Sequence, residues 1–132
     1  KVTAALAKQF DQYEPVKGIF VNGIFTNGEN IADLGGVNIA YDALQMYLND
    51  HGKIEKISNF TQEQRFFISW ATVWRTLSTD AYMTNQVKTD PHTPGYFRAF
   101  APLTNVDSWY KAFDVKEGDK LYKKPEDRIK IW

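Results

Sequence analysis

Gly28-Glu29-Asn30-Ile31-Ala32-Asp33-Leu34-Gly35-Gly36 opens the longest periodic segment of this chain. Behind it, Ile31, Leu34, Val37, Tyr41, Leu44 and Leu48 recur at spacings of three and four, one face of an α-helix. The pattern predicts a helix from near Gly28 to about Asn49, with Gly52 as its stop. At about 100° per residue, Glu29 and Asp33 lie together beside the apolar stripe, not opposite it. Carboxylates at the edge of an apolar face reach into a partly dry site. Such a pair suits a metal ligand and its supporter. Zinc takes carboxylate oxygen well, usually beside two imidazoles, and a second carboxylate can accept the N–H of a ligating imidazole. The alternative is that both acids sit in the first turns because the helix dipole favours them there.

Upstream, Val2, Leu6, Phe10 and Tyr13 mark one face of a helix that ends before Pro15. Between the two helices, Asn22-Gly23 stands between apolar triplets in a glycine-rich stretch from Gly18 to Gly28. That pattern fits a short hairpin or an irregular loop. Downstream, Thr61-Gln62-Glu63-Gln64 is a capping-box pattern. Phe66, Trp70, Val73 and Leu77 then form one row and Phe67, Ala71 and Trp74 the next, a width that predicts a buried helix. A shorter helix follows from Asp80 to Val87, and another from Val106 to Phe113. Asp90-Pro91-His92-Thr93-Pro94-Gly95 must be irregular, because two prolines bracket one histidine. The tail from Val115 is charged and turn-rich, yet it closes on Ile129, Ile131 and Trp132, which predicts an ordered terminus packed on the body.

The 132 residues are 43% hydrophobic and 15% aromatic, enough for a bulky core. Sixteen basic and sixteen acidic residues cancel, which argues against nucleic acid as a partner. Without cysteine there is no disulfide framework, thiolate metal site or catalytic thiol. No apolar run approaches the roughly 18 residues of a membrane span. The chain begins on Lys1 with an amphipathic pattern and no secretory h-region, so the expectation is that upstream sequence has been removed.

Of the two histidines, His51 follows Asn49-Asp50 at a helix end and reads as a solvated cap residue. His92 is different. It is pinned between Pro91 and Pro94, two residues after Asp90 and six before Arg98. A histidine held this way can donate to a developing oxyanion, with Asp90 orienting it or keeping it protonated. Arg98 offers a planar fork to a carbonyl or carboxylate. The alternative is a loop histidine capping backbone carbonyls, with Arg98 in a surface ion pair. Trp70, Val73 and Trp74 line a hydrophobic pocket or are plain core. Lys120, Lys123 and Lys124 read as solvated surface.

Three motifs in order resemble the C-terminal part of the neprilysin-like (M13, PepO-type) zinc metallopeptidases. They are Gly-Glu-Asn-Ile-Ala-Asp-x-Gly-Gly from Gly28, Phe-Phe-Ile-Ser-Trp-Ala-Thr-Val-Trp from Phe66, and Lys-Thr-Asp-Pro-His-Thr-Pro-Gly-Tyr-Phe-Arg from Lys88, followed by the terminal Ile131-Trp132. The resemblance runs from about Lys1 to Trp132 and implies a mainly α-helical fold, the C-terminal portion of a thermolysin-like zincin catalytic domain. It implies Glu29 as the third ligand of a zinc ion and Asp33 as the partner of a ligating histidine. His92 would support the tetrahedral transition state, Asp90 would steady His92, and Arg98 would bind a substrate carbonyl. Val73 and Trp74 would contribute to an apolar S1′ pocket, favouring cleavage of oligopeptides before bulky hydrophobic residues. His-Glu-x-x-His, which supplies two zinc ligands and the general base in that family, is absent from the 132 residues. The whole chain, residues 1–132, therefore reads as one C-terminal fragment whose partner is the missing N-terminal part of the same enzyme. By itself it is expected to be inactive and to associate through an exposed apolar face. The other reading is an inert peptide-binding or structural fragment. The lack of cysteine departs from the disulfide-bearing animal members and fits a bacterial one, placed outside the cytoplasm by resemblance.

Overall fold

The computed structural model describes residues 1–131, so the expectation for Trp132 lies outside the described residues. Six α-helices follow in order: α1 (Val2–Phe10), α2 (Asn27–His51), α3 (Gln62–Val73), α4 (Asp80–Thr89), α5 (Gly95–Arg98) and α6 (Asp107–Phe113). Short 3₁₀ turns occupy Leu103–Asn105 and Pro125–Asp127. Only two isolated bridges, Val16 with Ile19 and Ile57 with Phe60, interrupt the helical architecture among the described residues. The expected mainly α fold is what forms.

The long α2 is the axis. Leu34, Val37 and Leu48 from its predicted stripe are buried, and Ile31 and Tyr41 pack on the same core. Gly52 ends the helix with φ 80°, a left-handed value that glycine adopts without a Cβ penalty. On one side α1 delivers Leu6 and Phe10, both fully buried. On the other, α3 delivers Phe67, stacked on Tyr41 with ring centroids 5.2 Å apart. Behind these, Phe97 of α5, Tyr110 of α6 and Val106 just before α6 close the core. Among the described residues no helix is long and apolar enough to cross a membrane.

The Gly18–Gly28 stretch is the irregular loop, not the hairpin. Gly23 serves the packing of α1: a Cβ there would lie 1.9 Å from the Ala7 carbonyl oxygen. The Gly23 N–H donates to Asp11 Oδ1 at 2.7 Å, fastening the loop to the end of α1.

The capping box of α3 is present in both directions, Gln64 N–H to Thr61 Oγ1 at 3.2 Å and Thr61 N–H to Gln64 Oε1 at 3.1 Å. The helix behind it is not the buried one expected. Ile68 is 37% exposed, Val73 71% and Leu77, just beyond the helix, fully exposed. Both rows reach the core through Phe66, Phe67 and Trp70, and the exposure lies at Ile68 and toward the C-terminal end at Val73 and Leu77. α4, capped by Thr79 Oγ1 accepting from Tyr82 N–H, buries no residue among those described.

The tail is ordered through Ile131 as expected, and its anchor corrects the reading of Lys123 as solvated. Lys123 Nζ donates to buried Asn105 Oδ1 at 3.0 Å, and burial pushes this amine down to about 8, against a weaker upward pull from Asp127. Asn105 Oδ1 also accepts from Ile129 N–H, and its Nδ2 donates to Gln9 Oε1 at 2.9 Å. The Tyr110 hydroxyl donates to Thr104 O and accepts from Lys123 N–H. Arg128 covers the Tyr110 ring at 3.5 Å and binds Asp107 Oδ1 at 2.8 Å.

Candidate functional site

The first turns of α2 and the segment from Asp90 to Arg98 meet, bringing Glu29, Asp33, Asp90, His92 and Arg98 to one place. An ion pair and a histidine–carboxylate contact make the junction. Arg98 Nε and Nη2 donate to the two oxygens of Asp33 at 2.7 and 2.8 Å, a bidentate pair with side chains only 13% and 8% exposed. The His92 Nε2 lies 3.1 Å from Glu29 Oε2. Asp33 is buried and Glu29 is half-exposed, because they sit a turn apart along the edge of the α2 stripe.

His92 is held on its other side by Asp90. One carboxylate oxygen, Oδ1, lies 2.7 Å from Nδ1 and accepts the His92 backbone N–H at 2.9 Å. A carboxylate can only accept, so Nδ1 carries the proton in this contact. The backbone N–H first, and then the ring, hold the Asp90 carboxyl below the usual carboxylate range. The Nε2 end of the ring remains, aimed to the Glu29 side.

Beneath these residues runs a buried polar chain that sequence reasoning missed. Thr93 Oγ1 donates to Asn30 Oδ1 at 2.9 Å, and Asn30 Nδ2 donates to Thr26 Oγ1 at 2.9 Å. Thr26 Oγ1 in turn donates to Asn22 O at 3.1 Å. Thr93 and Asn30 are each 1% exposed. Asn30 stands inside the opening motif, but a bond across 63 residues leaves no periodic trace in a sequence.

Trp74 and Val73 part company. Trp74 lies under the Arg98 guanidinium, 3.9 Å from ring centroid to Cζ. With Arg98, Thr93, Gly95, Leu77 and Tyr82 it lines an open cleft of about 610 Å³. Gly95 fits closely there, since a Cβ would sit 3.0 Å from the Trp74 carbonyl oxygen and crowd it. Val73 instead lines a separate shallow groove with Ile57, Phe60 and Ile68. Trp70 belongs to the core rim and donates its indole N–H to Arg98 O at 3.1 Å. His51, exposed at the end of α2, contacts Tyr47 O and stacks on the Tyr47 ring, as a solvated cap residue should.

The donor chemistry suits zinc in kind but not in number. Glu29 offers carboxylate oxygens that, among the described residues, only the His92 ring engages. Among the described residues, no group of three His, Cys, Asp or Glu side chains lies close enough to hold a metal. A four-coordinate site on Glu29 needs ligands from elsewhere.

The family model for peptidase family M13 matches residues 1–129. The chain is 38% identical over 123 residues to the neutral endopeptidase of Lactococcus lactis, covering 93% of this chain and 18% of that protein. It is 37% identical over 117 residues to human neprilysin, covering 87% of this chain and 15% of that one. The structure superposes with a TM-score of 0.94 on the zinc metalloprotease Zmp1 of Mycobacterium tuberculosis solved with an inhibitor, at 42% identity, over 99% of this chain and 21% of that one. The chain thus spans about a sixth of the length of the curated relatives it matches, 15% to 18% of each. By matched motifs, sequence and fold, the chain belongs to peptidase family M13.

Proposed function

We propose that residues 1–132 form one C-terminal piece of a zinc-dependent endopeptidase that hydrolyses oligopeptides outside the cytoplasm. One observation carries the reading: the α2 turn bearing Glu29 and Asp33 faces His92 and Arg98, joined by contacts across 63 and 65 residues of sequence. In this reading Glu29 supplies one carboxylate ligand, and the missing N-terminal part supplies the histidines and the general base. Zinc bound there would polarise the scissile carbonyl and lower the pKa of a bound water. The chain's own residues do the rest. Asp90 fixes the His92 ring through Nδ1, and with the ring doubly protonated Nε2 can donate to the oxyanion of the tetrahedral intermediate. Asp33 grips two of the five guanidinium donors of Arg98 and leaves the others for a substrate carbonyl. Asp33 also has lone pairs left for the N–H of a ligating histidine.

The cleft beside Arg98, walled by Trp74, Leu77 and Tyr82, supports cleavage before bulky hydrophobic residues. Val73, in the separate groove with Ile57, Phe60 and Ile68, would contribute to that pocket only once the missing part covers both. Taken alone, the chain is inert, and the exposed row of Ile68, Val73 and Leu77 is where the missing part, or a second copy in its absence, associates.

The test is made in the full-length protein that contains this segment. Glu29→Ala should abolish both stoichiometric zinc, read by metal analysis, and peptide hydrolysis; retained activity overturns the assignment. Adding a histidine-bearing N-terminal segment to the 132-residue chain should restore zinc-dependent cleavage. No change on addition would favour a metal-independent binding or structural fragment.

A further inference from the structure

We infer that Thr93 and Asn30 are a positioning pair that sets the height of His92 over the Glu29 turn; this rests on the peptidase reading above. Each is the residue immediately after a candidate site residue, Asn30 after Glu29 and Thr93 after His92. Each is 1% exposed, and they are joined by one 2.9 Å hydrogen bond. Within the stretch from Asp90 to Gly95 this is the side-chain bond that reaches α2 from inside the protein; the His92–Glu29 contact lies at the half-exposed surface.

The bond has a fixed direction. A threonine hydroxyl has one proton. The Thr26 proton goes to Asn22 O, so Thr26 Oγ1 can only accept from Asn30. That turns the Asn30 amide so its oxygen faces Thr93, whose single proton must then be donated. Valine, of the same shape, cannot replace this donor, whereas serine can. α2 holds Glu29 by its own backbone, so loosening the bond frees the loop that carries His92 and leaves the helix that carries Glu29 in place. The pair therefore acts on the transition state through His92 and hardly on metal binding.

The experiment compares Thr93→Val and Thr93→Ser in the full-length enzyme. Thr93→Val should lower kcat about a hundredfold, the scale expected for a displacement near 1 Å, with KM and zinc content unchanged. Affinity for a phosphinic peptide, which mimics the tetrahedral intermediate, should fall by a similar factor, measured by calorimetry without turnover. Thr93→Ser should recover most of both. A crystal structure of Thr93→Val should show the His92 ring displaced relative to Glu29. An undisturbed kcat, an undisplaced ring, or a loss of zinc that serine fails to rescue each overturns the inference. If the wild-type enzyme shows no zinc-dependent hydrolysis, the peptidase reading falls, and the ring displacement alone still decides the role of the pair.

Discussion

Around Tyr110, no buried side-chain polar atom among the described residues lacks a partner; at Trp74, one does. Asn105 bonds Gln9, Lys123 and Ile129, and Tyr110 bonds Thr104 and Lys123. The buried Trp74 indole N–H finds no partner among the described residues, and the neighbouring Leu77 is fully exposed. Leaving a buried donor unpaired costs about 1–3 kcal/mol, so a fold tolerates it where another molecule or segment completes the surface. The tail clamp is finished architecture. The cleft face is the side on which the proposal seats the missing part and the substrate.

The most severe way to break the clamp is Asn105→Ala, which strands Gln9 Oε1, Lys123 Nζ and Ile129 N–H together. A loss on the order of 3 kcal/mol or more should appear as a lower urea midpoint; a shift under about a third of that would mean the tail holds without its anchor. Next, His92→Ala on the cleft side should cut kcat of the full-length enzyme about a hundredfold or more with little loss of stability or zinc. An unchanged kcat removes His92 from the mechanism.

Tyr110→Phe should cost about 1–2 kcal/mol by leaving Thr104 O and Lys123 N–H unpaired, and an unaltered midpoint would show that water replaces the hydroxyl. A pH series sharpens the contrast further. Lys123 is lowered from 10.5 to about 8 in the folded chain. Between those values the unfolded chain holds the extra proton, so stability rises with pH across that window and is lost again as pH falls through about 8. Lys123→Met should flatten the rise; a slope that survives belongs to another group. The smallest effect is expected at the exposed row: Ile68→Ser and Val73→Ser should change stability by less than about 0.5 kcal/mol, while reducing self-association of the isolated chain by light scattering. A large destabilisation there would mean this face is already covered.

Much of the framework was legible because helices write their period into the sequence. The α2 stripe, the Thr61 capping box and the Gly52 stop all formed where the residues placed them. Asn22-Gly23 was ambiguous for a physical reason: this glycine answers to the backbone of Ala7, a contact no local pattern announces. Lys123 was misread because its burial depends on Asn105 and Tyr110 on other elements. The motifs identified Glu29, Asp33, His92 and Arg98 as candidates, but not who pairs with whom. The Asp33–Arg98 fork, the Asn30–Thr93 bond and the separation of Val73 from Trp74 are tertiary facts, set by how the Asp90–Arg98 segment crosses the first turns of α2.

The Asp33–Arg98 fork has a bearing on which part of a peptide the cleft would receive. A guanidinium already matched by a carboxylate keeps directional donors but little net charge. It has weak long-range pull on an anion, since the fields of two opposite charges 2.7 Å apart largely cancel at distances well beyond that separation. In the proposed enzyme such a group would recognise a neutral main-chain carbonyl at short range and give no advantage to a free terminal carboxylate. That is the discrimination expected of an enzyme that cuts inside a chain and does not trim its end.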